Sequence, residues 1–580
     1  MISTMRLKLT FNRFLSALQH PAFWVYVIQA MLISAVFLPN LWEMNLWDES
    51  AYIYSGYTLL TKGYLTIYAF SPLISMFYAL TGLPFLSSPF WLVLSCSLGR
   101  FLLFTLLFTG GYLAAASLKR YGSHWAVLGL LAGTPILMEM YNYPTDPLFA
   151  SMSALGFWQF MTWYHSRKTQ NLALASTFLG LSALARNDGL VIFAAMSLAV
   201  LVFSWKQPRR WQSWLAAALP FLVLVAGYIL LRGAVTGDFN PGTLERTYDN
   251  FESGQEIILS SKGEYSATIE AYLAAREAFG TPEENHYSVF NAIQRNPPVY
   301  LARMRALLAS LPLTAARAYG ARFVLLLGVL VLRGVIHLLR QRKGVVLLIC
   351  LIWLSPLAVG LVNTMIRVGY LRLPYFVLMA LASLGAGALL SDLASRRGQV
   401  IWGGLLLGLV AFTLWQDALS MLTGLLAAAA GLILLRVFQF RWQGRRLWPA
   451  LVLLVVLGLG WGLHGPFPGF KWRTLGEAGP EVASAFLYRL LPEDSLVLSG
   501  VPGPVWMARM TFAGLNATDV PDFASAGEFL TWMRAQDIKA VYVDPSMSPH
   551  FREMVDNLQG NGLELVYTTD QRYYQILLVK

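Results

Sequence analysis

Two neighbouring carboxylates offer the first chemistry in this chain. Asp48 and Glu49 stand side by side in Asn45-Leu-Trp-Asp-Glu-Ser-Ala-Tyr52. Such a pair can supply a general base that takes the proton from an attacking hydroxyl, while its neighbour orients the base or holds a divalent metal ion. Asp146, in Tyr141-Asn-Tyr-Pro-Thr-Asp-Pro147, could orient hydroxyl groups, and Glu139 lies just ahead of it. The arginines come next: Arg186 beside Asp188 in Ala185-Arg-Asn-Asp-Gly189, then Arg367 and Arg372 in Arg367-Val-Gly-Tyr-Leu-Arg-Leu-Pro374. Arginine stays charged and grips phosphate through a planar fork of donors, so these three suit a phosphate-bearing substrate or leaving group. Other chemistry finds little footing. There is no GxxxxGK[ST] phosphate loop, and the seven histidines show no HExxH pattern. Cys96 and Cys350 both sit in apolar runs, which argues against a disulfide framework or a thiolate metal site.

Each of these residues also has a plainer reading. Asp48 could simply cap a helix over 49–62, with Glu49 as its first-turn acid and Lys62 before Gly63 as its C-terminal signal. Asp146 could cap the helix that follows it, Arg186 and Asp188 could pair within a turn, and Arg367 and Arg372 could anchor helices at a membrane interface.

The elements that must position these groups are set by composition. The chain has 580 residues, 56% hydrophobic and only 13% charged. A soluble domain carries roughly 25% charged residues. Apolar runs near 20 residues long recur through the sequence, the pattern of helices that cross a bilayer. The net charge of +12 is not gathered into one stripe or arm, which argues against nucleic acid as a partner. Basic residues fall instead in short stretches between alternate apolar runs, beginning with Arg6, Lys8 and Arg13 and ending with Arg436, Arg441, Arg445 and Arg446. These stretches hold 19 basic residues and one acid, Asp392. The positive-inside bias then gives eleven to thirteen spans, a cytoplasmic N-terminus and an outer C-terminus. The run at 22–40 lacks a small-residue cleavage site and reads as an anchor in a plasma membrane. In this topology the candidate carboxylates and arginines share one extracytoplasmic plane.

The expected fold is therefore an α-helical polytopic membrane protein with a small extracytoplasmic α/β domain. The membrane part covers 1–464, with a first outer loop at 41–90 and a large polar, partly helical one at 233–320 broken at Pro282 and Pro297-Pro298. After the linker Gly465-Pro-Phe-Pro-Gly469, residues 465–580 form the α/β domain. Strands are expected at 495–499 and 540–543, helices at 525–535 and 549–559, and a hairpin from 563–568 and 573–579.

The motifs also carry a resemblance. Trp47-Asp48-Glu49-x-x-Tyr52, then Ser71-Pro-Leu-Ile-Ser-Met-Phe-Tyr78 and a span opening near Arg100, resemble the GT-C glycosyltransferases. Within them they resemble the protein O-mannosyltransferase and lipid A aminoarabinose transferase branch. Thr145-Asp-Pro-Leu-Phe-Ala150, Ala185–Gly189 and Arg367–Pro374 are similar to later landmarks of that family, so the likeness covers roughly residues 20–390. It implies transfer of a sugar from a polyprenyl-phosphate carrier to the hydroxyl of a glycan, lipid or protein, on the outer face and with inversion. Asp48, Glu49 and Asp146 would then be catalytic, and Arg367, Arg372 and Arg186 would bind the donor phosphate. No cofactor is implied, apart from a divalent metal ion that Asp48 and Glu49 could hold. A transporter or flippase would favour charges near the midplane and inverted repeats, which are not evident. A polysaccharide polymerase or ligase of the cell envelope remains the other class.

Overall fold

The computed structural model describes residues 48–65, 72–82, 89–118, 144–237, 239, 243–261, 268–319, 321–363, 368–393, 400–401, 479–514, 523–544, 547–568 and 574–580. The apolar run at 22–40, the linker at 465–469 and Glu139 lie outside these residues. In chain order the helices are α1 Asp48–Lys62, α2 Pro72–Gly82, α3 Pro89–Ser117, α4 Thr145–Ser166, α5 Thr169–Ala185, α6 Asp188–Ser204, α7 Arg210–Thr236, α8 Thr243–Ser261, α9 Thr268–Phe279 and α10 Val289–Arg295. They continue as α11 Pro297–Tyr319, α12 Ala321–Arg340, α13 Gly344–Trp353, α14 Ser355–Asn363, α15 Val368–Arg372, α16 Tyr375–Leu393, α17 Gly479–Leu490, α18 Gly503–Met507, α19 Ala526–Ala535 and α20 Pro549–Leu558. The strands are β1 Leu496–Ser499, β2 Thr511–Gly514, β3 Ala540–Val543, β4 Leu563–Thr568 and β5 Gln575–Val579. Two compact units result. One holds the described residues of Leu103–Tyr141 and Thr145–Gly469, the other those of Ser34–Leu102, Asn142–Pro144 and Phe470–Lys580.

The first unit is helical. α4, α5 and α6 are apolar on every side and not along one stripe, as befits helices surrounded by other helices or by lipid. Among the described residues, Leu98–Ser117 and Arg210–Val235 are long and apolar enough to cross a membrane. Along α7, Leu219, Val223 and Leu230 are each more than half exposed. The apolar run after Lys343 is divided: α13 ends at Trp353 with Leu354 as its cap, and α14 opens at Ser355 with Pro356 in its first turn, where proline is tolerated.

α12 and α16 meet backbone to backbone. A Cβ at Gly385 would lie 1.8 Å from the Leu330 carbonyl oxygen, and one at Gly334 would lie 2.1 Å from that of Leu381. Small residues permit such an approach, which gains dispersion and needs no hydrophobic driving force. The same pair explains Asp392, the lone acid among the basic stretches: it accepts from Nε of buried Arg333 at 2.6 Å.

The polar segment between α7 and α12 has its own small core of Tyr248, Phe251, Phe279 and Ala292. Asn285 donates to the Tyr248 hydroxyl at 2.7 Å and to the Phe279 carbonyl at 2.8 Å. Ser288 caps α10 by accepting from the Asn291 N–H, and Pro297 opens α11, where its missing N–H costs nothing.

In the second unit a five-stranded sheet has the order β2-β1-β3-β5-β4, with β2, β1 and β3 parallel and β5 and β4 antiparallel. Alternation along the strands builds two cores. Leu498, Val541 and Val543 pack with Phe529, Met533 and Met554 of α19 and α20. Val497, Ala540 and Tyr542 pack with Leu487 and Val505 of α17 and α18. A sheet covered on both faces accounts for strands that read as continuous apolar runs. Ser525 and Ser548 cap α19 and α20, and Pro549 takes the first helical position.

Candidate functional site

α1 begins with the acidic pair and ends as its sequence requires. Lys62 sits in the last turn, and Gly63 follows at φ +78°, the left-handed conformation that glycine adopts without strain. The backbone of Asp48 opens the helix, while its side chain lies outside the described residues. Glu49 is completely buried. Nε and Nη2 of Arg100 reach its two carboxylate oxygens, and the Tyr78 hydroxyl donates to Oε1 at 2.8 Å. A carboxylate buried this deeply persists only with a partner, and the guanidinium fork is the strongest that a protein offers. Glu49, its charge already matched by the Arg100 guanidinium, is not an open ligand for a divalent cation. No group of three or more His, Cys, Asp or Glu side chains gathers among the described residues.

A second cluster forms in the other unit where four helix ends meet. Asp146 lies in the first turn of α4, Asp188 in the first turn of α6, Arg186 caps the C-terminus of α5, and Arg372 lies in the last turn of α15. Each charge has the sign that its helix end favours. Arg186 bridges both acids: Nη1 donates to Asp146 at 2.5 Å, and Nε donates to Asp188 at 3.0 Å. Its guanidinium also lies 5.0 Å from the Tyr370 ring centre, a cation–π contact. Arg372 is buried and donates from Nε to the Ala318 carbonyl at 3.2 Å, and its charge acts on the Asp146 carboxylate. The Arg186 side chain is the accessible member, 21% exposed against 4% for Asp146 and 10% for Asp188. Chemically, the cluster sets two guanidinium groups among two carboxylates, with Arg186 donating to both acids.

The structure thus gathers Asp146, Arg186 and Arg372 in one unit, and pairs Glu49 with Arg100 in the other. Arg367 lies outside the described residues. The expected turn pairing of Arg186 with Asp188 exists, and the same guanidinium also bridges to Asp146, a contact the sequence did not suggest. Sequence reasoning gave no role to Tyr370, and did not see that Tyr78 and Arg100 hold Glu49. A signal was present: Arg100 is a lone charge in a long apolar run, and such a charge has a partner or a task.

ArnT from Cupriavidus metallidurans, solved bound to undecaprenyl phosphate, matches with a TM-score of 0.53 and 14% identity, over 94% of this chain and 97% of that one. The chain shares that fold. The apo state of the same protein matches with a TM-score of 0.52 over the same shares of the two chains and at the same identity. The resemblance to the lipid A aminoarabinose transferase branch, read from motifs over 20–390, therefore holds as a likeness of fold along almost the whole length. In sequence alone, no family model and no curated protein matches the chain.

Proposed function

We propose that this chain is an integral-membrane glycosyltransferase that moves a sugar from a polyprenyl-phosphate carrier to an acceptor hydroxyl on the outer face of the membrane. The observation that carries this reading is the fold match to ArnT along nearly the full length of both chains, since that protein was solved with undecaprenyl phosphate bound. The exposed leucines and valines of α7 support a bilayer setting, because such a surface is a liability in water and ordinary in lipid. Eleven to thirteen spans and an outer C-terminal domain at 465–580 belong to the same proposal.

The chemistry follows from charge. The acceptor oxygen attacks the anomeric carbon, its proton passes to Asp48, and the bond from that carbon to the phosphate oxygen breaks on the opposite face, inverting the centre. The departing polyprenyl phosphate carries the bonding pair as an anion. Arg372, with Arg367, stabilises it, and Arg186 contributes what its two carboxylate partners leave over. Asp146 fixes Arg186 and offers an acceptor to sugar hydroxyls. Glu49 anchors the helix that presents Asp48.

The test is a donor panel given to purified full-length protein, with a membrane extract as acceptor. Release of polyprenyl phosphate from a lipid-linked sugar, and none of nucleotide from nucleotide sugars, is the expected result. Release from nucleotide sugars alone would overturn the donor class.

A further inference from the structure

The helix that begins with the acidic pair is gripped on two sides within its own unit. On one side Gly56 admits α2 so closely that a Cβ there would lie 2.6 Å from the Ser75 carbonyl oxygen and 2.9 Å from the Ala79 nitrogen. On the opposite side Tyr54 and Tyr57, three residues apart and so neighbours on one helix face, meet the α/β domain, and Lys62 meets it from the last turn. Tyr54 stacks on Trp506 of α18, with ring centres 6.1 Å apart and planes 10° apart. The Arg509 guanidinium lies over the rings of Tyr57 and Tyr488, at 4.6 and 4.9 Å. Its Nη1 pairs with Glu493 at 2.7 Å, and the other oxygen of Glu493 accepts from the Tyr57 hydroxyl at 3.0 Å. Lys62 pairs with Asp494.

The domain spends backbone strain on this face. Arg509 and Asp494 both adopt left-handed φ, +61° and +68°, and the Asp494 N–H donates to the Arg509 carbonyl at 3.0 Å. Side chains rarely adopt this conformation, and it persists where the surroundings over-determine it, most often at working sites. Arg509 is also 7% exposed, so a desolvated cation has been committed to holding one tyrosine of a helix far away in sequence.

We propose that Arg509 is a positioning residue, the centre of a clasp by which the C-terminal domain fixes the rotation and height of α1 and thereby of the acidic pair at its start. Its catalytic consequence rests on the transferase reading above; the clasp itself rests on the contacts. Tyr57 lies nine residues along α1 from Asp48, about 14 Å at helical rise, a distance over which a helix is stiff. A rotation of about 10° would move a group ~6 Å from the helix axis by ~1 Å. A misplacement of that size can cost on the order of 10²-fold in rate.

The experiment compares full-length wild type, Arg509→Gln, Arg509→Lys and Tyr57→Leu in two measurements: amide hydrogen exchange of α1, and kcat and donor KM for carrier release. Tyr57→Leu keeps the α/β domain intact should Arg509→Gln fold poorly. The expected result is faster exchange along α1 in Arg509→Gln and Tyr57→Leu. With it, kcat falls roughly tenfold or more while donor KM holds, because geometry at the reacting centre is lost and donor binding is not. Arg509→Lys keeps the Glu493 pair without the planar stack, and falls between wild type and Arg509→Gln. Unchanged exchange in both clasp variants would overturn the proposal, as would faster exchange with unchanged kcat. If wild type releases no carrier while α1 exchange still responds, the clasp stands and the transferase reading fails.

Discussion

Replacing Glu49 by glutamine asks whether the second acid of the pair does chemistry or holds the helix. Its side chain is 0% exposed, that of Arg100 is 4%, and both carboxylate oxygens are engaged by the guanidinium. Glutamine keeps the shape and still accepts from Tyr78, but it leaves the Arg100 charge buried opposite a neutral amide. Breaking a buried pair from one side costs about 3–5 kcal/mol. At about 1.4 kcal/mol per tenfold, amide protection in α1 should fall by roughly 10²-fold to a few thousand-fold, up to the protection that it has. Removing both charges, in Glu49→Gln with Arg100→Met, should restore most of it, because the stranded charge is gone. The assay is hydrogen exchange of α1 in all four members of the cycle, with carrier release measured beside it. Recovery of protection and activity together in the double variant would make Glu49 an anchor. Recovery of protection without activity would give it a chemical role after all. Protection in Glu49→Gln equal to wild type would refute the reasoning, since a buried arginine cannot lose its counter-ion without consequence.

Other perturbations follow from the same geometry. Gly385→Ala should destabilise the α12–α16 pair by about 1–3 kcal/mol, because the clash is with backbone that cannot swing away, and the detergent-solubilised protein should unfold at a lower temperature; an unchanged midpoint would deny the close approach. Arg186→Lys keeps the charge but loses the fork that spans Asp146 and Asp188, so donor KM should rise; an unchanged KM would remove Arg186 from the donor site. Tyr54 and Tyr57 are both pushed up to about 12, chiefly by burial, with Asp494 adding to it at Tyr54. An unfolded tyrosine ionises near 10. Both phenols therefore support the fold fully below about pH 10, and that support is lost as pH rises from about 10 to about 12. Phenolate absorbance from these two residues near pH 10 with the fold intact would contradict this.

What could be read from sequence was what neighbours along the chain decide. Gly63 and Lys62 ended α1, Pro282 and Pro297 bounded the breaks in the outer segment, and the residue pattern marked β1, β3, β4 and β5 together with α19 and α20, but not α18. β2 was missed because four residues at a sheet edge, Thr511-Phe-Ala-Gly514, show no alternation to read. α17 was missed as well. The candidate site was legible as residue types and much less as partnerships. Asp146 and Arg186 stand 40 residues apart, Glu49 and Arg100 51, and Tyr57 and Glu493 436, and no local periodicity links such pairs. Asp392 shows the boundary well: its oddity among basic residues was visible, but its reason, Arg333 on another helix, needed the fold.

The most direct test of the central claim is carrier release from a lipid-phosphate sugar by wild type and by Asp48→Asn. Asp48 is the first residue of α1, where asparagine keeps its size and side-chain oxygen and gives up only a first-turn charge, so the start of α1 should survive the change. Without a carboxylate to take the acceptor proton, transfer should fall on the order of 10²-fold or more. Release at the wild-type rate by Asp48→Asn would contradict the account, leaving Asp48 as a first-turn acid of α1 and the base still to be found.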